Sequence, residues 1–130
     1  MRVIPVDMDT FLLRALQVSA VVLQQGKVLC VFPEGERSVD GRVRPFLRGV
    51  GILAKELKAP VMPAYIAGSF EAWPRGQSIP RIHRLRVRFG PVATPEALLA
   101  SEGPRGGDDA ETIVMRLREQ VVALGGETTG

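Results

Sequence analysis

The sequence predicts an α/β protein with an open, mostly parallel sheet and helices on both faces. Apolar residues recur at helical spacing in three long stretches, 11–25, 46–57 and 108–124. Short apolar or β-branched runs alternate with the first two of these, at 2–6, 28–32 and 61–66. A β-α-β-α-β order favours parallel pairing with right-handed crossovers. An apolar fraction of 45% is enough to build a core.

The first strand and helix follow from local signals. Arg2–Val6 is a short strand, and Pro5 indicates an edge position or a strand start, because it cannot donate a ladder hydrogen bond. Phe11–Gln25 is a helix with a wide apolar face, suited to packing on a parallel sheet. Gly26 follows as the C′ residue that ends the helix.

The second strand leads into a loop and a second helix. Val28–Phe32 is predicted to be a buried strand, so we expect Cys30 to be a buried structural thiol. Phe46–Leu57 is the second helix, in which Gly49 and Gly51 lower helix propensity. These glycines are expected to allow close approach to the sheet.

The second half contains two further strands and two helices. Val61–Ile66 is the third strand, and Arg84–Phe89 alternates as an edge strand whose arginines face solvent. We expect Leu85, Val87 and Phe89 to face inward. A short helix over Pro95–Ala100 and an amphipathic helix from Asp108 or Asp109 to about Leu124 complete a single domain, residues 1–124, with a flexible tail at 125–130.

Composition limits the class of protein. One cysteine rules out an intrachain disulfide, and a reducing compartment is the default. No stretch approaches the ~20 apolar residues that span a bilayer, and the N-terminal residues do not form a signal peptide. We expect a cytoplasmic protein, peripheral on the inner face of the membrane where it contacts lipid. Asp7 and Asp9 lack further ligands nearby, so no metal site is expected.

The candidate site is the turn Phe32–Ser38, which follows the predicted second strand. Glu34 and Arg37 lie three residues apart, at the strand end where open α/β sheets place ligand chemistry. Gly35 allows a tight turn, and Arg37 offers a fork of donors for phosphate. Spacing alone leaves two interpretations open: a ligand site, or a structural turn with a local ion pair.

The wider string Phe-Pro-Glu-Gly-Glu-Arg-Ser resembles the Phe-Pro-Glu-Gly-Thr-Arg-Ser signature of the glycerolipid acyltransferases of the lysophosphatidic-acid type. Further segments resemble this family in the same order, from Lys27 to Val92: Gly41-Arg42, Pro45-Phe46, Gly49, Ala54, Pro60–Ile66 and Phe89–Val92. The resemblance implies an open α/β acyltransferase fold. It also implies transfer of a fatty acyl group from a coenzyme A or acyl-carrier-protein thioester to a lysophospholipid or glycerol-phosphate hydroxyl, with no other cofactor.

The resemblance also implies roles for individual residues. Glu34 corresponds to the glutamate that helps bind the glycerol-phosphate acceptor. Arg37 and its neighbours Gly35 and Ser38 correspond to the residues that contribute phosphate contacts. Glu36 stands where the signature usually has threonine and adds a negative charge beside the site.

The catalytic His-x-x-x-x-Asp of the family has no counterpart in these residues. The only histidine is His83, downstream of the signature, and the residue five positions on is Arg88. Met8 also stands where the family usually has an arginine. We therefore expect the C-terminal part of an acyltransferase domain, incomplete at its N-terminus and inactive alone. Its expected partners are a missing N-terminal segment or a fused acyl-activating domain.

A basic stretch supports a second interpretation. It comprises Arg75, Arg81, Arg84, Arg86 and Arg88, with no acidic residue among them. It is either a solvated edge strand or a surface attracted to anionic lipid headgroups. A non-catalytic lipid- or partner-binding α/β module is therefore the alternative function. Nucleic-acid binding is not expected, because aromatic residues are few and not at stacking spacing.

Overall fold

Helices and a short ladder of strands make up the part of the chain that the structure describes. In this computed structural model, that part comprises residues 12–35, 43–67 and 84–125. The elements are α1 (Leu12–Gln24), α2 (Arg48–Leu57), β1 (Ala64–Ala67), β2 (Arg86–Phe89), α3 (Pro95–Ala100) and α4 (Asp109–Ala123). The predicted strand at 2–6, Asp7, Asp9 and residues 126–130 of the tail lie outside the described residues.

The ends of α1 and α3 are set by local chemistry. Gly26 has a φ of +74°, and the N–H of Lys27 donates to Val22 O at 3.3 Å, so α1 ends as predicted at a left-handed glycine. Thr94 caps α3 by accepting a hydrogen bond from the N–H of Ala97 at 3.1 Å. These two boundaries need no tertiary contact.

The start of α4 is capped twice. The carboxylate of Asp108 accepts from the N–H of Glu111 at 2.8 Å. The carboxylate of Glu111 in turn accepts from the N–H of Gly107 at 2.7 Å. The first bond satisfies an amide donor that the first turn of a helix leaves unpaired, and the second ties the residue before the N-cap to that turn. The predicted start at Asp108 or Asp109 is confirmed.

The second helix packs between α1 and α4. On one side, Leu53 packs with Ala15 of α1. On the other side, Gly51 lies against the first turn of α4, where an added Cβ would be 2.1 Å from Ala110 O. The expectation that Gly51 allows close approach to the sheet is therefore wrong, because the element that approaches it is the helix α4. The core beside this contact consists of Ala54, Leu98, Ile113 and Leu117.

The two strands pair antiparallel, with Ala64 opposite Phe89 and Ala67 opposite Arg86. The pairing resumes at a bridge between Val61 and Ala93. From Ala64 back to Val61 is three residues, whereas from Phe89 to Ala93 is four, so one extra residue is accommodated as a β-bulge. The predicted third and fourth strands are therefore present, and the parallel pairing is not seen within the described residues.

The predicted second strand is not formed. Residues 28–32 have no ladder partner within the described part of the chain, and the side chain of Val28 is 91% exposed. Cys30 is exposed as well, so its prediction as a buried thiol is wrong. An apolar run favours extended backbone, but only a neighbouring strand can satisfy its N–H and C=O groups and bury its side chains.

The inward orientation predicted for the fourth strand is also wrong. The side chains of Leu85, Val87 and Phe89 are all more than half exposed. The opposite face of the ladder contacts the end of α4, where Arg88 Nη1 donates to Leu124 O at 2.9 Å. A cation at a helix C-terminus is favourable, because it faces the negative end of the helix dipole. The alternating pattern thus identified the two faces of the strand, but not which of them packs against α4.

Arg116 is a buried cation that the sequence reasoning missed. Its side chain lies on the apolar stripe of α4 and is 3% exposed. It donates to carbonyls that end α3 and form the following connection, including Leu98 O at 2.8 Å and Pro104 O at 3.2 Å. Because a buried cation needs several acceptors, Arg116 ties α4 to α3. Its position three residues after the apolar Ile113, at helical spacing, was the signal in the sequence that could have indicated its burial.

Candidate functional site

The signature segment folds as a tight turn. The N–H of Gly35 donates to Phe32 O at 3.1 Å, which closes a four-residue turn with Pro33 and Glu34 at its centre. Gly35 has a φ of +77°, and an added Cβ would lie 3.0 Å from the Leu47 side chain. The left-handed backbone conformation favours glycine here, and any other residue would also press on the Leu47 side chain.

The turn is held against the segment that precedes α2. The N–H of Leu47 donates to Pro33 O at 2.8 Å. The N–H of Arg44 donates to Glu34 Oε2 at 2.9 Å. These bonds join the two ends of the loop and fix the half-buried Glu34 carboxylate by a charge-assisted hydrogen bond. Within the described residues, no donor reaches Glu34 Oε1.

A second arginine of α4 contacts the same segment from the other side. Arg118 Nε donates to Arg44 O and Arg118 Nη2 donates to Val43 O, both at 3.1 Å. Val43 itself is buried. The loop end that binds Glu34 is thus anchored to a helix more than 70 residues away in sequence. Sequence reasoning did not find this contact, because nothing local to Arg118 indicates its partners.

An ion pair joins the start of α2 to the start of α4. The guanidinium of Arg48 donates to Asp108 Oδ2, with its Nε at 2.9 Å. The hydrogen bond from Arg48, and next the N–H of Glu111, hold the pKa of Asp108 below its usual value, and Asp108 raises the pKa of Arg48. Both side chains are exposed, so the pair is screened by solvent. It joins the first residue of α2, which directly follows Leu47, to the N-cap of α4.

The predicted site residues are only partly within the described structure. Glu34 and Gly35 lie together in the turn. Arg37 and Ser38 lie outside the described residues, as do Glu36, His83, Arg75 and Arg81. Arg84, Arg86 and Arg88 are described and exposed, on or beside β2. The structure therefore describes the carboxylate half of the candidate site and three of the five arginines of the basic stretch.

Neither a metal site nor a membrane span occurs in the described part. Over residues 12–35, 43–67 and 84–125, His, Cys, Asp and Glu side chains form no group of three that could hold a metal ion. Likewise, each described helix is too short or too polar to cross a bilayer.

Fold and site together define an α/β protein that presents a carboxylate on a glycine turn, beside the N-terminus of a helix. A sequence profile described as Acyltransferase matches residues 1–67. The match covers more than half of the chain, and the chain therefore belongs to the acyltransferase family. The family resemblance of the Phe32–Ser38 signature is confirmed.

Curated relatives are similar over parts of the chain. A 1-acyl-sn-glycerol-3-phosphate acyltransferase of Cocos nucifera is 34% identical over 76 residues, which are 58% of this chain and 22% of the relative. The Limnanthes alba enzyme is 35% identical over 71 residues, 55% of this chain and 25% of the relative. The mouse α enzyme is 26% identical over 106 residues, which are 81% of this chain and 37% of the relative. The chain thus spans about a quarter of the plant relatives.

A solved structure supports the fold. The 1-acyl-sn-glycerophosphate acyltransferase PlsC of Thermotoga maritima is 27% identical, with a TM-score of 0.61. The similarity covers 85% of this chain and 45% of PlsC. The α/β class predicted from sequence is thereby confirmed, and the family is that of the PlsC-like lysophosphatidate acyltransferases.

Proposed function

We propose that these residues form the acceptor-binding part of a lysophosphatidate-type acyltransferase domain. The observation that carries the proposal is the Glu34 carboxylate, whose Oε2 is fixed on the turn by the Arg44 N–H at 2.9 Å, with no donor from the described residues on Oε1. A carboxylate held in this way accepts a hydrogen bond from a hydroxyl of the glycerol-phosphate acceptor. Gly35 supplies the left-handed backbone conformation on which the turn that carries Glu34 depends.

Phosphate binding is assigned to the residues that follow the turn. Arg37 supplies a planar fork of donors and Ser38 a hydroxyl, which suit the acceptor phosphate. In this arrangement the glutamate recognises the hydroxyl and the arginine recognises the phosphate. The acyl donor is a thioester of coenzyme A or of acyl-carrier protein, as in the family resemblance.

The acceptor hydroxyl must lose a proton when it attacks the thioester, and this requires a base. The 130 residues contain one histidine, His83, with Arg88 five positions on and no His-x-x-x-x-Asp. We therefore propose that the chain alone binds acceptor but transfers no acyl group. Product from purified chain, an acyl-coenzyme A and a lysophosphatidate, lost on Glu34→Ala, would contradict this.

The acceptor assignment is tested with two soluble probes, glycerol 3-phosphate and inorganic phosphate. Glu34→Gln keeps an acceptor for the Arg44 N–H but removes the charge. Because a hydrogen bond to a charged group contributes ~1 kcal/mol more than a neutral one, the affinity for glycerol 3-phosphate should fall about fivefold to tenfold. The affinity for inorganic phosphate should stay equal or rise, since a negative charge is removed. Isothermal titration measures both.

Glu56→Gln is the matched control, because it removes the same charge from an exposed position of α2. It should leave both affinities unchanged. If Glu34→Gln weakened the affinity for both probes equally, a hydroxyl contact by Glu34 would be wrong. The same holds if Glu56→Gln weakened the affinity for glycerol 3-phosphate as much as Glu34→Gln does.

We further propose that β2 and its flank contact an anionic membrane surface, where the lysophospholipid acceptor resides. Leu85, Val87 and Phe89 are exposed there, interleaved with the exposed Arg84 and Arg86. Because the apolar and the basic side chains lie on opposite faces of the strand, β2 lying edge-on at the interface of an anionic bilayer would present both to the lipid. This supports peripheral placement on the inner face, where anionic lipid is concentrated. Arg75 and Arg81 would add to the same basic surface.

Vesicle co-sedimentation tests the membrane contact. Binding to phosphatidylserine-containing vesicles should exceed binding to phosphatidylcholine vesicles and should weaken with salt. A double variant, Arg84→Ser with Arg86→Ser, should reduce the difference between the two lipids. Equal binding by both vesicle types, or none, would leave the alternative of a partner-binding module, whose surface would be the same exposed strand.

A further inference from the structure

Arg118 lies on the face of α4 that contacts Val43 and Arg44, in the segment just before α2. Its guanidinium donates to both carbonyls, Val43 O and Arg44 O, each at 3.1 Å. A guanidinium presents its donors in a rigid plane, so two bonds from one fork fix the direction as well as the position of the peptide units they contact.

One of these contacts acts on the peptide that holds Glu34. Val43 O and the N–H of Arg44 belong to the same planar peptide unit, and they point in opposite directions. Arg118 Nη2 binds the oxygen of this unit, and Glu34 Oε2 accepts from its N–H at 2.9 Å. The peptide is therefore placed between a cation and an anion. Each hydrogen bond polarises the peptide in the sense that strengthens the other.

We propose that Arg118 is a positioning residue for the acceptor site: it orients the Val43–Arg44 peptide, and that peptide orients the Glu34 carboxylate. The role in acceptor binding rests on the proposed function of Glu34. By this assignment Arg118 acts on acceptor binding through the peptide that holds Glu34. The helix α4 thereby acts on a turn that lies more than 70 residues earlier in the sequence.

Arg116 offers an internal comparison on the same helix. It also binds backbone carbonyls, but those of the connection after α3, such as Leu98 O and Pro104 O. Losing Arg116 should loosen that connection and leave the Glu34 peptide in place. An arginine that merely stabilises the fold and an arginine that positions Glu34 can therefore be separated by experiment.

The first measurement is amide hydrogen exchange on the full chain, comparing Arg118→Met with Arg116→Met. In Arg118→Met, the Arg44 amide should exchange about tenfold faster, because its peptide has lost a charge-assisted bond. The Leu117 amide, within α4, should change by less than about threefold. In Arg116→Met, the Arg44 amide should keep its exchange rate relative to Leu117. Arg118→Lys retains one donor group and should lie between wild type and Arg118→Met.

The second measurement is affinity for glycerol 3-phosphate by titration. Arg118→Met should weaken binding by about fivefold, and Arg116→Met should not. Because Arg118 acts through Glu34, the double variant with Glu34→Gln should bind no more weakly than the weaker single variant. Independent losses that multiply would contradict the proposal, as would an unchanged Arg44 exchange rate in Arg118→Met.

The two measurements separate the two proposals. If the wild-type chain does not bind glycerol 3-phosphate, the proposed acceptor function is wrong. The predicted effect of Arg118→Met on affinity is then wrong as well. The exchange result still decides whether Arg118 holds the peptide of Glu34. If wild type binds but Arg118→Met binds equally well, the acceptor function stands and the positioning role is wrong.

Discussion

Gly51, in the middle of α2, is where one added methyl group tests the packing of the two central helices. An ideal Cβ there would lie 2.1 Å from Ala110 O and 2.8 Å from Ala110 C. Both are backbone atoms in the first turn of α4, so no side chain can rotate away. Gly51→Ala should therefore push α2 and α4 apart and disturb the core that they share.

Two effects of opposite sign set the magnitude. Alanine in a helix interior is favoured over glycine by about 1 kcal/mol. Overpacking costs about 1–3 kcal/mol, and the upper end applies here because backbone must move. The net loss in the free energy of unfolding should be about 2 kcal/mol. For a chain of this length, the melting temperature should fall by roughly 5–10 °C.

Urea denaturation followed by far-ultraviolet circular dichroism measures the loss. Glu56→Ala, at an exposed position of the same helix, should change stability by less than about 0.5 kcal/mol. Adding Ala110→Gly to Gly51→Ala should not restore stability, because the clash is with a carbonyl that every residue has. If Gly51→Ala instead stabilises by about 1 kcal/mol, as helix propensity alone predicts, the close approach of the two helices is wrong.

Two further predictions concern Asp108 and Cys30. The hydrogen bonds from Arg48 and Glu111 lower the folded pKa of Asp108, so its contribution to stability is present above its unfolded pKa and is lost as pH falls through the folded value. Arg48→Met should raise that pKa part of the way, as measured by carboxyl titration with nuclear magnetic resonance. The exposed Cys30 should react with a thiol reagent in native buffer nearly as fast as in denaturant.

Each of these has a clear opposing result. An unchanged Asp108 pKa in Arg48→Met would mean that the helix amide alone lowers it. High salt should weaken the Arg48 effect, since the pair is exposed. Slow labelling of Cys30 until the chain is unfolded would mean that residues 28–32 are buried after all, as the apolar pattern predicts.

Three helix boundaries were predictable because their causes are local, whereas α2 begins at Arg48, two residues after the predicted Phe46, where no side chain caps it. Gly26 ends α1, Thr94 begins α3 and Asp108 begins α4, each through bonds to residues within a few positions. The Gly35 turn was predictable for the same reason. A cap or a turn needs only a short stretch of chain to form its hydrogen bonds, so the necessary information lies in adjacent residues.

Strand placement was less predictable because a strand exists only with its partner. Residues 28–32 and 61–66 both contain the expected apolar runs, yet only the second pairs within the described residues. The alternation of β2 gave two faces, but the contact between Arg88 and Leu124 decided which face meets α4. Alternation indicates that two faces differ and says nothing about which one is covered.

For the candidate site, the sequence by itself determined the turn chemistry: a carboxylate at Glu34 and a turn glycine at Gly35. Tertiary structure decided what holds that carboxylate. The Arg44 N–H is 10 residues from Glu34 in sequence, and the Arg118 guanidinium is 84 residues away. The packing of α4 on the loop brings that guanidinium to the peptide whose N–H binds Glu34. Local signals specify which groups a site contains, whereas long-range packing determines the direction in which those groups are held.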